Sequence, residues 1–168
     1  RLPSLLFSVL AIWSVYGLGK LYYKEKTAFV AAMITASCQA FFVMNQDVKT
    51  DMYLIGSVTF ALCQLAAFIQ TEKWKHLILG FVGVGLGLLS KGPLGLVLPG
   101  LAIGLHLLLT RNWKMLFNWK WLVGLPVAAI LLIPMCIGLY QQYGNEGLKF
   151  FFWTQSFGRV TGDSSWKN

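Results

Sequence analysis

The sequence predicts an all-α membrane protein: a polytopic helical bundle with about six transmembrane helices and one further helix lying along the outer membrane surface. Three observations carry this. Of the 168 residues, 57% are hydrophobic and only 12% charged, about half the charge of an ordinary soluble domain. Six apolar stretches, at residues 4–23, 28–44, 52–70, 76–90, 92–110 and 121–140, are separated by short polar punctuation. At roughly 20 residues per crossing they account for most of the chain. Each is apolar on every face, whereas a membrane strand would alternate over about ten residues. A mean hydropathy of +0.63 excludes intrinsic disorder, and the length leaves no room for a large soluble domain.

The first stretch starts almost at Arg1, with no initiating methionine, basic leader or small-residue cleavage site, so the chain reads as a fragment. Tyr22 and Tyr23 mark its far end, as interfacial aromatics do. The second and third stretches flank the polar connector Asn45-Gln46-Asp47-Val48-Lys49-Thr50-Asp51. The fourth is short and is expected to be less tilted or partly re-entrant. Its Gly80, Gly83, Gly85 and Gly87 miss the dinucleotide-binding spacing at Leu88, and close helix packing is the better account of them. In the fifth, Pro93 stands just inside the start, where a missing N–H costs nothing. Pro99, Pro126 and Pro134 fall deeper and should bend their helices, which makes room for cavities. Polar and charged residues enter after Tyr143. The chain therefore divides into a six-span module, residues 1–143, and an extracytoplasmic juxtamembrane segment, residues 144–168. There Phe151, Phe152 and Trp153 suit the headgroup zone. Cys38, Cys63 and Cys136 all lie in apolar runs and read as packing residues, and neither His76 nor His106 has a second ligand at metal spacing.

Orientation follows from the distribution of cations. One set of connectors holds Lys20, Lys24, Lys26, Lys73, Lys75, Arg111, Lys114 and Lys120; in the amino terminus and short connectors of the other set stand only Arg1, Lys49 and Lys91. Since positive charge stays inside, the first set is cytoplasmic and both ends of the chain lie outside. The formal charge of +8 is then mostly a topology signal, and nucleic acid is not an expected partner.

Two polar features could carry chemistry. Asp47, Lys49 and Asp51 form a dense charged group at the outer ends of two spans. Carboxylates there could hold a metal, orient a hydroxyl or act as a base, or they could simply solvate the hairpin. Ser90-Lys91-Gly92-Pro93 sets a lysine between apolar runs. A mid-bilayer lysine costs about 2.5–3.5 kcal/mol, so Lys91 either meets an anion such as phosphate in a wet cavity or snorkels at a helix end. In the tail, Arg159 follows Gly158, and a guanidinium suits a phosphate; an interfacial anchor explains the neighbouring aromatics equally well.

The order of these features resembles the bacterial glycosyltransferase family 39, which includes protein mannosyltransferases and the aminoarabinose transferases of lipid A. The likeness rests on Arg1-Leu2-Pro3-Ser4 opening a span, Asp47-Val48-Lys49-Thr50-Asp51 between two spans, and Ser90-Lys91-Gly92-Pro93 followed by Pro99. Phe151-Phe152-Trp153 leading to Arg159 and Gly162 completes it. The resemblance implies the GT-C membrane fold and a polyprenyl-phosphate-sugar donor. It also implies inverting transfer to a lipid, glycan or protein acceptor on the outer face of the bacterial inner membrane. By position, it makes Asp51, with Asp47 as a weaker companion, the catalytic acids of an external loop. Lys49, Lys91 and Arg159 become substrate-binding cations near the donor phosphate, with Lys49 where many members carry arginine. The family's principal catalytic aspartate belongs to an earlier external loop, so the general base is expected upstream of Arg1 and the fragment alone is expected to be inactive. No cofactor is required by this reading, and a divalent cation is left open. A transporter or lipid flippase, which should show inverted repeats and mid-membrane ionisable groups, and a non-catalytic membrane subunit are the competing readings.

Overall fold

The computed structural model describes residues 2–39, 41, 43, 50–149 and 151. Among them the ordered elements are helices: α1 Leu2–Tyr22, α2 Glu25–Ser37, α3 Asp51–Thr71, α4 Trp74–Lys91, α5 Leu94–Leu109, the single-turn α6 Trp113–Leu116, and α7 Lys120–Lys149. Three stretches meet the length and apolarity of a crossing outright: Leu2–Tyr22, Asp51–Thr71 and Trp113–Gly144. The chain is thus an all-α membrane protein.

Helix α1 shows how such a sequence packs. Its buried residues are Ser4, Ser8, Ala11 and Ser14, while Leu2, Leu5, Leu6, Val9 and Trp13 point outward. In water this would be inside out; in lipid, small residues let helix backbones approach and large apolar ones face the acyl chains. The buried hydroxyls cost little because they bond within the helix, Ser8 Oγ to the Ser4 carbonyl at 2.9 Å and Ser14 Oγ to the Leu10 carbonyl at 2.7 Å. At the α1–α2 turn, Lys20 Nζ lies 3.0 Å from Glu25 Oε1 and the Tyr16 hydroxyl donates to the same oxygen at 2.8 Å. These donors, the lysine foremost, hold the Glu25 carboxyl below the usual carboxylate range.

Helix α2 is shorter than its apolar stretch. Continuous helix stops at Ser37, and Cys38 is extended (φ −65°, ψ 125°). The reason is local: Thr35 Oγ1 bonds back to the Ala31 carbonyl, Ser37 Oγ to the Ile34 carbonyl, and the Cys38 N–H takes Thr35 O three residues back. Such back-bonding competes with the regular ladder and bends helices. Cys38 is consequently exposed, unlike the buried Cys63, which corrects its reading as a packing residue.

Helix α3 is the centre of the bundle and packs on α1, α4 and α5. Gly80 and Gly83 of α4 make its approach possible. A Cβ at Gly83 would stand 3.0 Å from Ala61 N, and one at Gly80 2.5 Å from the Leu65 side chain. The glycine run of α4 is therefore a packing surface. Helix α4 also packs on α5 and α7, and the main core gathers Leu65, Phe68, Leu77, Phe81, Leu107 and Met115 toward the cation-rich end. Trp121, half-buried, packs against that core. Its ring meets Phe68 edge-on at 5.5 Å and its Nε1 donates to the Met115 carbonyl at 2.7 Å. Nearby, Lys120 Nζ lies 3.0 Å from Glu72 Oε2, and His76 Nδ1 lies 2.7 Å from Oε1 of the buried Gln64. Pro99 and the pair Pro126 and Pro134 fall inside α5 and α7, and α7 breaks at Gly144 (φ 60°, ψ −149°).

Candidate functional site

Consecutive helices run in opposite directions, so the start of α3 and the end of α4 share one end of the bundle, the end away from Lys20, Glu25, Glu72 and Lys120. There Asp51, the first residue of α3, and Lys91, the last of α4, form an ion pair between Lys91 Nζ and Asp51 Oδ1. Both side chains are partly buried, 27% exposed for Asp51 and 34% for Lys91. A carboxylate at a helix N-terminus and an ammonium at a C-terminus each face the favourable end of the helix dipole.

Gly92 makes the position of Lys91 possible. It adopts φ 60°, ψ −137°, a conformation open to glycine, while its N–H closes on the Leu88 carbonyl at 2.8 Å. Pro93 then starts α5 at once, and the N–H groups of Leu96 and Val97 return to its carbonyl. The turn ends one helix and begins the next within two residues, which leaves the lysine at a helix end. Ser90 takes no part, since its hydroxyl donates to Leu86 O of its own helix at 3.0 Å.

Two residues after Asp51, Tyr53 packs edge-on against Phe7 of α1, with ring centroids 5.1 Å apart. One turn on, Gly56 is so close to α1 that a Cβ would stand 2.6 Å from the Phe7 carbonyl oxygen. This aromatic wall fixes the first turn of α3 against α1. It was not singled out from sequence, although α1 and α3 run in the same direction and pairing their residues by depth would have set Phe7 near the level of Tyr53.

Of the sequence-derived candidates, the structure brings Asp51 and Lys91 together. Asp47, Lys49 and Arg159 lie outside the described residues, as does most of the 144–168 segment. Among the described residues no three His, Cys, Asp or Glu side chains gather at metal-binding distance. An ammonium carries three donors, and the described partner of Lys91, the Asp51 carboxylate, takes one of them. A partly exposed cation held by a carboxylate in this way can receive a further oxyanion while the carboxylate orients or accepts from a hydroxyl.

The sequence model of the dolichyl-phosphate-mannose-protein mannosyltransferase family matches residues 1–137. Among curated relatives, the chain is similar to undecaprenyl phosphate-alpha-4-amino-4-deoxy-L-arabinose arabinosyl transferases. It is 23% identical to that of Pseudomonas paraeruginosa, over 98% of the chain and 31% of the relative. It is 24% identical to that of Edwardsiella ictaluri over 98% and 30%, respectively. With the Erwinia tasmaniensis protein it shares 25% identity over 95% of the chain and 29% of the relative. The chain thus spans about a third of the length of the curated relatives it matches. No solved structure matches.

Proposed function

The chain belongs to the dolichyl-phosphate-mannose-protein mannosyltransferase family, and from that premise we propose that it is part of an integral-membrane inverting glycosyltransferase. The whole protein moves a sugar from a polyprenyl-phosphate carrier to an acceptor hydroxyl on the extracytoplasmic face of the bacterial inner membrane. The observation that supports this best is the partly exposed Asp51–Lys91 pair at the cation-poor end of the bundle.

In the proposed reaction the acceptor oxygen attacks the anomeric carbon as the bond from that carbon to the phosphate oxygen breaks. The phosphate leaves with the bonding electrons, and the hydroxyl proton passes to a carboxylate. Lys91 is the group that stabilises the charge growing on the departing phosphate, with Arg159 and Lys49 in support. Asp51, with Asp47, orients the reacting hydroxyl, and the proton acceptor is a carboxylate of another external loop of the full-length protein.

The test is transfer of radiolabelled sugar from a polyprenyl-phosphate donor by the full-length protein in membranes. Lys91→Ala lowers transfer tenfold or more, since a hydrogen bond to a charged group contributes about 1.5–3 kcal/mol. Protein abundance and thermal stability stay close to wild type. Unchanged turnover would remove Lys91 from the mechanism.

A further inference from the structure

A second feature lies at the opposite end of the bundle. Helix α2 packs closely on α1 alone among the described elements, where Gly19 lets it approach: a Cβ at Gly19 would stand 2.8 Å from Ala28 Cα. Tilted onto α1 in this way, α2 leaves a cavity of about 670 Å³ between itself, α1, α3 and α5. That is the size of a small-molecule site. The walls are graded. Val15, Ala31, Leu62 and Ala102 line the apolar part nearer the middle of the helices, Ala28, Ala66 and Ile103 are its buried floor, and Tyr22, Tyr23, Thr27 and His106 stand at the helix-end side. From Tyr22 to Val15 the depth is about 10 Å at 1.5 Å per helical residue.

The helix-end side is polar, and lysines stand next to it in sequence. The Tyr22 hydroxyl and His106 Nε2 are 3.4 Å apart, tying α1 to α5 across it. Lys24, the residue before α2, and Lys26, in its first turn, lie between the lining residues Tyr23 and Thr27 and are exposed, and among the described residues neither has an ion-pair partner. An apolar slot that opens beside two uncommitted lysines complements a molecule with a hydrocarbon chain and an anionic head. Cations at this depth attract anionic lipid surfaces.

We propose that this cavity binds one acyl chain of an anionic phospholipid, with its phosphate held by Lys24 and Lys26 and its ester region facing Tyr22 and His106. The site is separate from the Asp51–Lys91 pair and independent of the transferase reading. A lipid there fills the gap that α2 leaves and keeps it braced against α3 and α5.

The experiment uses the full-length protein, delipidated and offered dioleoyl phosphatidylglycerol or dioleoyl phosphatidylcholine, with retained lipid read by native mass spectrometry. Wild type retains phosphatidylglycerol at least fivefold over phosphatidylcholine. Ala31→Trp, which fills the apolar part of the cavity, lowers retention of phosphatidylglycerol tenfold. The double variant Lys24→Gln/Lys26→Gln, at two exposed positions where the change does not threaten folding, reduces the preference to less than twofold. Equal retention of the two lipids by wild type overturns the proposal, as does a preference that survives loss of both lysines. Undecaprenyl phosphate displacing phosphatidylglycerol at equal concentration also overturns it. So does a photocrosslinker at position 31 that captures another segment of the same protein instead of lipid.

Discussion

Lys91 and Asp51 compensate one another's cost, because each is only partly solvated and each stands at a helix end. Two groups working as one unit should show it in a double-mutant cycle of transfer rates in the full-length protein. Asp51→Asn and Lys91→Ala each lower the rate, and the double variant loses no more than about threefold beyond the worse single change. Rates that multiply would mean two independent residues. Ser90→Ala is the contrasting case: its hydroxyl is committed to Leu86 O, so transfer should stay within about twofold of wild type. Asp51 and Lys91 were legible in sequence as charges at the ends of apolar runs, because the bilayer makes such charges expensive and therefore conspicuous. Their direct contact was not. It depends on the angle at which two helices cross, and no residue type announces that angle.

At the level of elements, the α3–α4 pairing is the contact on which the site depends, because the Asp51–Lys91 pair forms where these two helices meet. Gly83 allows it. Gly83→Leu brings a side chain against the Ala61 backbone, 3.0 Å from a Cβ, and backbone cannot move aside. The cost should be about 1–3 kcal/mol, measured as loss of thermal stability of the full-length protein in detergent. At Gly104 a Cβ meets nothing within 4 Å, and Gly104→Ala should be neutral or stabilising by about 0.5–1 kcal/mol. A gain in stability at both sites would mean that helix propensity, not packing, governs the response at Gly83. The spans themselves were readable because apolar length is what a bilayer selects. What escaped was α2's early end, set by Thr35 and Ser37 bonding back to their own helix, and the single turn α6. Hydropathy averages over such polar details.

The molecule as a whole is asymmetric along the bundle axis. The aromatic core of Phe68, Phe81 and Trp121 sits with the cation-rich connectors, clasped by Lys120–Glu72. At the other end, Phe7 against Tyr53 and the Asp51–Lys91 pair lie among smaller residues. A transferase needs a firmly packed base and an end that admits a lipid-linked donor, so the two ends have different work if the cation-rich one faces the cytoplasm. That orientation can be tested in intact cells on the full-length protein, after the three native cysteines of this segment are replaced by alanine or serine. A membrane-impermeant maleimide should label Thr50→Cys, at the exposed residue before α3, without permeabilisation. Lys24→Cys, in the exposed α1–α2 turn, should react only once the membrane is opened. The reverse pattern would put Asp51 and Lys91 on the cytosolic side, where no extracytoplasmic transfer could use them.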